Sequence, residues 1–279
     1  MNATGISASP GGAQRTRLLG VDFDDVTRDQ VLSWIEACIA RRDRPRMICT
    51  PNADHLLLMR RDAEFRRIVA KADLVVPDGM GVVYAAKLLS RTFKQNVGGR
   101  LLLPAFAAIA ARRHYRLFLL GGRDAAQVEA AVTRLTEQNP GLEICGYAPP
   151  FRQEFTEGET RELLRIVRAA APDVLFVCLG TPKQEKWIGR NLEKIGVPVC
   201  IGVGAALDVV SGRVREPPRW MTDVGLEWLF KLCQEPRRLW RRYGIGVPRF
   251  ALLVMFEWLR ITILNKPAVG NPRQIRRNL

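Results

Sequence analysis

Short apolar runs rich in β-branched residues recur along this chain, and nearly all are followed by a longer stretch with apolar residues at helical spacing. That alternation is the pattern of βα units, whose strands pair in parallel and are covered on both faces by the intervening helices. It constrains the fold more than any single motif does. The runs predict strands at 17–23, 46–51, 73–77, 116–121, 142–147, 173–180 and 197–202, each bounded by Gly, Pro or Asp. Helices are predicted at 26–41, 63–72, 81–89, 124–137, 159–171 and 183–195. Pro182 precedes the last of these, where a missing N–H costs nothing. No internal repeat is visible.

The 279 residues suffice for one large domain with its own core. A content of 47% hydrophobic and 25% charged residues argues against disorder, collagen-like repeats and a membrane-embedded bundle. Six cysteines are scattered without a C-x-x-C pair and are expected to be reduced, buried thiols. Residues 1–16 are rich in Gly, Ser and Ala without an apolar core; they are expected to form a flexible tail, neither signal peptide nor anchor. The expected class is α/β: a Rossmann-like parallel sheet flanked by helices over 17–212, followed by a basic helical appendage over 213–279.

Charge separates these two parts. The formal net charge is +15, a field that attracts anions such as polyphosphates, nucleic acids and acidic lipids. Residues 213–279 carry 14 Lys and Arg against 5 Asp and Glu, and four of the six tryptophans: Trp220, Trp228, Trp240 and Trp258. Arginine interleaved with tryptophan suits an interface between water and phosphate head groups. The apolar stretch 250–264, interrupted by Glu257 and Arg260, is too short to cross a bilayer. It suits a helix lying on a membrane and equally one packed on protein.

Four polar segments fall at predicted strand ends, where open parallel sheets bind ligands. Thr50-Pro51-Asn52-Ala53-Asp54 offers hydroxyl and amide groups to a sugar or phosphate, and Asn52 or Asp54 would also cap the following helix. Asp78, between Pro77 and Gly79, suits a general base, with an N-cap as its structural alternative. Gly180-Thr181-Pro182-Lys183-Gln184-Glu185 opens a helix whose N-terminus and lysine suit a phosphate, although the segment departs from a Walker A loop. In Gly202-Val203-Gly204-Ala205-Ala206-Leu207-Asp208 the last glycine of G-x-G-x-x-G is replaced by leucine, so it suits close backbone approach to a ligand better than a nicotinamide site. Gly121-Gly122-Arg123 ends another strand and suits a diphosphate or a plain turn.

No metal site is expected. His55 and His114 lack ligand spacing and read as structural or exposed, while Asp24 or Asp25 of the D-x-D at Asp22 reads as a helix cap. No G-x-S-x-G elbow supports a serine hydrolase.

Taken in order, the Thr50-Pro51-Asn52 corner, the Ala72 to Gly79 segment, the Gly180 to Glu185 turn and the Gly202 to Asp208 strand end resemble the WecG/TagA/CpsF glycosyltransferases, glycosyltransferase family 26, over about residues 18–243. The resemblance implies an inverting, metal-independent transfer of a sugar from a UDP-sugar to a polyprenol-diphosphate-linked saccharide, without a cofactor. It implies a cytoplasmic enzyme attached peripherally to the inner face of the cell membrane, in cell-surface or exopolysaccharide biosynthesis. The family's base falls on Asp78, its conserved Thr and Asn on Thr50 and Asn52, and its active-site glutamine on Gln184. Arg213, Arg215 and Arg219 become candidates for the diphosphate, and Gly79, Gly121, Gly122, Gly180, Pro182, Lys183, Gly202, Gly204 and Asp208 for substrate contact. A homo-oligomer is compatible with this reading, and no nucleic-acid partner is expected. Two other classes stay open at this point: a basic nucleic-acid-binding protein, which would lack RNP-type aromatics and zinc-finger spacing, and a nicotinamide-dependent oxidoreductase.

Overall fold

The computed structural model describes residues 14–149, 154–223 and 225–264; the side chains of Arg219, Asp223, Arg238, Arg242 and Leu264 lie outside the description. Eight strands form two sheets. β1 (Arg15–Leu18) and β2 (Val21–Asp24) are an antiparallel hairpin. β3 (Arg46–Cys49), β4 (Leu74–Val75), β5 (Arg116–Gly121), β6 (Glu143–Tyr147), β7 (Val174–Cys178) and β8 (Val199–Gly202) form an all-parallel sheet in the order β4-β3-β8-β7-β5-β6. The first apolar run, expected as one strand, is split because Leu19 and Gly20 take φ of 50° and 87°, which reverses the chain.

Helices alternate with the strands: α1 (Arg28–Arg41), α2 (Ala53–Met59), α3 (Ala63–Lys71), α4 (Met80–Leu88), α5 (Gly99–Arg113), α6 (Ala125–Gln138), α7 (Glu157–Ala170), α8 (Lys183–Ile195) and α9 (Ala206–Val210). α10 (Arg219–Asp223), α11 (Glu227–Gln234), α12 (Pro236–Trp240), a π-helical turn at Arg241–Ile245 and α13 (Gly246–Leu264) follow. Among the described residues no helix is long and apolar enough to cross a membrane.

Strand side chains alternate between two cores. Ile48, Leu74, Leu119, Phe176 and Ile201 meet α1, α5, α6 and α9 on one face. Met47, Val75, Leu120, Val177 and Cys200 meet α2, α3, α4, α7, α8 and the start of α13 on the other. Both faces are therefore dry, as continuous apolar strand sequences require. α5 was not legible as a helix because Gly98, Gly99 and Pro104 read as breakers; burial of Leu102, Leu103, Phe106, Ala107 and Ala110 outweighs them. The cap of α1 is Thr27, in a capping box with Gln30, and neither Asp24 nor Asp25. Asp24 instead accepts from the Val75 N–H at 2.9 Å and pairs with Arg15, while Asp25 accepts from the Lys94 N–H. The cysteines are all free thiols, four of them buried; Cys145 and Cys233 are exposed, against expectation.

β5 sends its connection across one face toward β6, and its neighbour β7 sends one across the other face toward β8. Their carboxyl ends thus flank a topological switch point, where α/β sheets open a crevice.

Candidate functional site

The strand ends β4, β3, β8, β7 and β5 line one rim, and the four motifs lie on it side by side. Contact between them is close enough to demand glycine. A Cβ on Gly121 would lie 2.6 Å from the backbone of Cys178, and the Gly122 N–H donates to the Cys178 carbonyl at 3.1 Å. Both have positive φ, which L side chains rarely adopt. A Cβ on Gly99, at the start of α5, would lie 2.8 Å from Val203 Cα, so α5 is seated directly on the end of β8.

One half of the rim is wired by hydrogen bonds. Thr50, buried, donates to the Gly202 carbonyl at 3.4 Å, tying β3 to β8. Asn52 caps α2, accepting from the Asp54 and His55 N–H groups, and lies 2.7 Å from His55 Nδ1. His55 Nε2 lies 2.8 Å from the Thr181 hydroxyl and 3.5 Å from Glu185. Gln184 donates to Glu185 at 2.6 Å and accepts from the Gly204 N–H at 3.0 Å, holding the β8 turn against α8. His55 and Glu185 were not singled out as functional in the sequence. The signal was present in the Asn52/His55 spacing of three, which puts both on one helix start, but the link to Thr181 spans 126 residues. Among the described residues Glu185 Oε2, buried, has no hydrogen-bond partner.

The other half is built around Asp78. Its N–H donates to the Pro51 carbonyl at 3.1 Å, fixing the turn beside the Thr50-Asn52 corner. The N-cap of α4 is Gly79, with no side-chain cap bond, so Asp78 is not a helix cap. Its carboxylate lies over Gly98, the N-cap of α5, where a Cβ would come within 2.0 Å of Oδ1. Among the described residues that carboxylate, half-buried, makes no hydrogen bond or ion pair. Asn96 accepts from the Gly79 N–H at 2.8 Å and locks the turn from outside.

The remaining predicted residues are placed as follows. Pro182 and Lys183 start α8; burial pulls the Lys183 ammonium below its ordinary pKa. Gly180 and Gly204 have positive φ, at 79° and 54°. Asp208 is buried and held by Arg123 at 2.8 Å and by Gln127 at 2.7 Å. Arg123 also pairs with Glu235 at 2.9 Å, so the arginine of the Gly121-Gly122-Arg123 turn ties the appendage to the rim. Arg213 is exposed and pairs with Asp124, whose pKa it lowers. The Arg215 backbone exchanges hydrogen bonds with the Gln234 side chain, and the Arg219 side chain lies outside the described residues.

The appendage folds over this same rim. Arg100 of α5 bridges Glu216 and Glu227, both at 3.2 Å, Gly225 packs on Tyr84 of α4, and Phe250 and Val254 of α13 enter the core. An acidic residue whose carboxylate has no partner among the described residues, a set of close-approach glycines and an arginine-bearing segment thus share one rim of an α/β sheet. The chain matches the Glycosyl transferase WecG/TagA/CpsF family over residues 16–263.

The chain belongs to that family. It is a glycosyltransferase. It is 29% identical over 230 residues, 82% of its own length and 87% of the relative's, to the N-acetylglucosaminyldiphosphoundecaprenol N-acetyl-beta-D-mannosaminyltransferase of Bacillus subtilis (strain 168). To the protein of the same description from Staphylococcus aureus (strain MW2) it is 27% identical over 231 residues, 82% and 89% of the two lengths. These relatives' names describe transfer to a polyprenol-linked acceptor. Among the described residues no group of three or more His, Cys, Asp or Glu side chains is arranged to hold a metal ion.

Proposed function

We propose that this WecG/TagA/CpsF enzyme transfers a hexosyl group from a UDP-sugar to a saccharide carried on polyprenol diphosphate, with inversion and without a metal ion, at the inner face of the cell membrane. The observation that carries the reading is the Asp78 carboxylate on the rim beside the N-terminus of α5, which caps no helix and, among the described residues, pairs with none. In the reaction the acceptor hydroxyl oxygen bonds to the anomeric carbon, the bond from that carbon to the UDP diphosphate breaks, and the hydroxyl proton passes to Asp78. Thr50, Asn52 and Gln184 hold the neighbouring turns, so the base and the backbone groups meeting the substrate keep their spacing. Gly79, Gly180 and Gly204, where a Cβ would meet no protein atom within 4 Å, leave the backbone open to the donor, Gly121, Gly122 and Gly202 keep the strand ends packed beneath it, and Pro182 and Lys183 present the start of α8 to phosphate.

Arg213, Arg215 and Arg219 balance the departing diphosphate. Arg213 exchanges Asp124 for that anion; its present ion pair is solvent-exposed and therefore weakly held. Asp208, held by Arg123, shapes the β8 turn and carries Arg123 toward the same anion. In this reading residues 17–212 are the catalytic domain and 213–279 an appendage that brings it to the membrane, supported by the exposed apolar row Leu252, Phe256 and Ile263 on α13.

The test is a panel of UDP-sugars, beginning with UDP-N-acetylmannosamine, given to the full chain with an N-acetylglucosaminyl polyprenol diphosphate. UDP release and the anomeric configuration of the product are read together. UDP release with an inverted anomeric centre is expected; a retained configuration, or no release with any donor, overturns the reading.

A further inference from the structure

Three residues beyond Asp78, an apolar groove opens between α4 and α13. It starts at Gly81, is walled by Tyr84, Ala85 and Leu88 of α4 and by Ala251, Met255 and Trp258 of α13, and encloses about 370 Å³. Its lining is almost wholly apolar, so it offers nothing to a sugar, a nucleotide or a diphosphate. Leu88, Met255 and Trp258 remain exposed along it, although Phe250 and Val254 beneath them are buried in the core. The groove is therefore part of the packed body and presents an exposed apolar surface that starts where α4 leaves the Asp78 turn.

The direction and size of the groove limit its occupant. At 1.5 Å per residue, the α4 wall of the groove runs about 10 Å from Gly81 to Leu88, away from the Asp78 turn that precedes the helix. An acceptor whose hydroxyl meets Asp78 keeps its sugar and two phosphates over the polar rim, outside this apolar lining, and its hydrocarbon begins beyond them. At roughly 30 Å³ per water-sized group, the groove holds about a dozen non-hydrogen atoms, or two to three five-carbon units. Each buried methylene contributes about 0.8 kcal/mol, so even that short length discriminates strongly between a long chain and a stub.

The geometry points to this groove as the seat of the first isoprene units of the lipid acceptor, so that the enzyme recognises one prenyl chain as well as its sugar diphosphate. The inference rests on the reaction proposed above for the acceptor class. It differs from general membrane attachment, which would use the other exposed row of α13, Leu252, Phe256 and Ile263.

Two substitutions at exposed groove positions leave the core intact: Leu88→Glu charges the wall, and Ala251→Trp fills the space. Binding of N-acetylglucosamine diphosphate esterified to farnesol or to ethanol is measured by calorimetry on the full chain, and product formation with the UDP-sugar panel is measured beside it. The wild type is expected to bind the farnesyl compound at least tenfold tighter than the ethyl one. Each variant is expected to lose about tenfold on the farnesyl compound with the ethyl compound unchanged. Farnesyl preference lost in the variants with no product from any donor would leave the groove assigned and sink the reaction. Product formed with the wild-type chain preference intact in both variants would keep the reaction and overturn the groove. Loss of vesicle binding in the variants with that preference intact would give the groove to the bilayer, and also overturns the inference.

Discussion

The two halves of the rim treat their polar groups in opposite ways. On the β3-β8-β7 side, Thr50, Asn52, His55, Thr181, Gln184 and Glu185 are linked to one another and to backbone groups at distances of 2.6 to 3.5 Å. On the β4 side, Asp78 is held by its backbone and by the shape of Gly98, and its carboxylate is left unclaimed. A linked network fixes geometry, because a member that moves leaves a buried partner unpaired; within this one, among the described residues, Glu185 Oε2 is the one buried side-chain atom lacking a hydrogen-bond partner. A carboxylate that the fold positions but does not satisfy retains its capacity for an incoming proton or hydroxyl. The contrast separates residues that set spacing from the one assigned the chemistry.

The largest effect that tests this contrast is Asp78→Asn, expected to lower kcat by roughly 10² to 10⁴ with the denaturation midpoint unchanged. Wild-type turnover in that variant would erase the distinction between the halves. Next comes Gly98→Ala. The φ of −73° accepts alanine, and the new Cβ meets only the tip of the Asp78 side chain, so the protein folds while the carboxylate is displaced. A shift of about 1 Å at the reacting group costs on the order of 10²-fold in rate, so kcat should fall steeply with little change in the binding of UDP. Full activity would show that the observed carboxylate position is not the working one.

On the wired side the expectation reverses. Gln184→Ala strands the Gly204 N–H and one oxygen of Glu185, and should cost about 1–3 kcal/mol of stability, read from the denaturant midpoint. A variant as stable as the wild type would mean that the network does not hold the β8 turn. The smallest effect lies away from the rim, where Glu64 joins α3 to α8 through Arg190 and Lys186. The Arg190 hydrogen bond holds the Glu64 carboxyl down to about 2, from an ordinary 4.5. A depressed carboxylate adds stability above its unfolded pKa and loses it as pH falls toward the folded one. Glu64→Gln should therefore flatten the acid limb of stability between about pH 4.5 and 2, by less than about 1 kcal/mol because the pair is partly exposed. An unchanged acid limb would remove the α3–α8 brace from the account.

Six of the seven predicted strands are legible in the sequence, most of them because buried parallel strands are written as unbroken apolar runs; the edge strand β6, EICGY, is mostly exposed and stands out by its position between helices instead. The first differs at Leu19-Gly20, where a two-residue reversal is hidden inside an apolar pattern. α5 escaped notice for the opposite reason: its local signals oppose a helix, and only the core it fills favours one. The motifs at the strand ends were visible as motifs. Their division of labour was not, since the Asn52-His55-Thr181 link and the Gly98 contact with Asp78 join segments far apart along the chain.

From composition and pattern alone, the chain determined its α/β class, the basic character of its last quarter and the residues that crowd the strand ends, because burial and charge are properties of local sequence. Tertiary structure decided the strand order, the folding of the appendage over the rim, and which strand-end side chains are already spent on each other. Those depend on which surfaces meet, and a hydrogen bond or a steric contact exists only once both partners are in place.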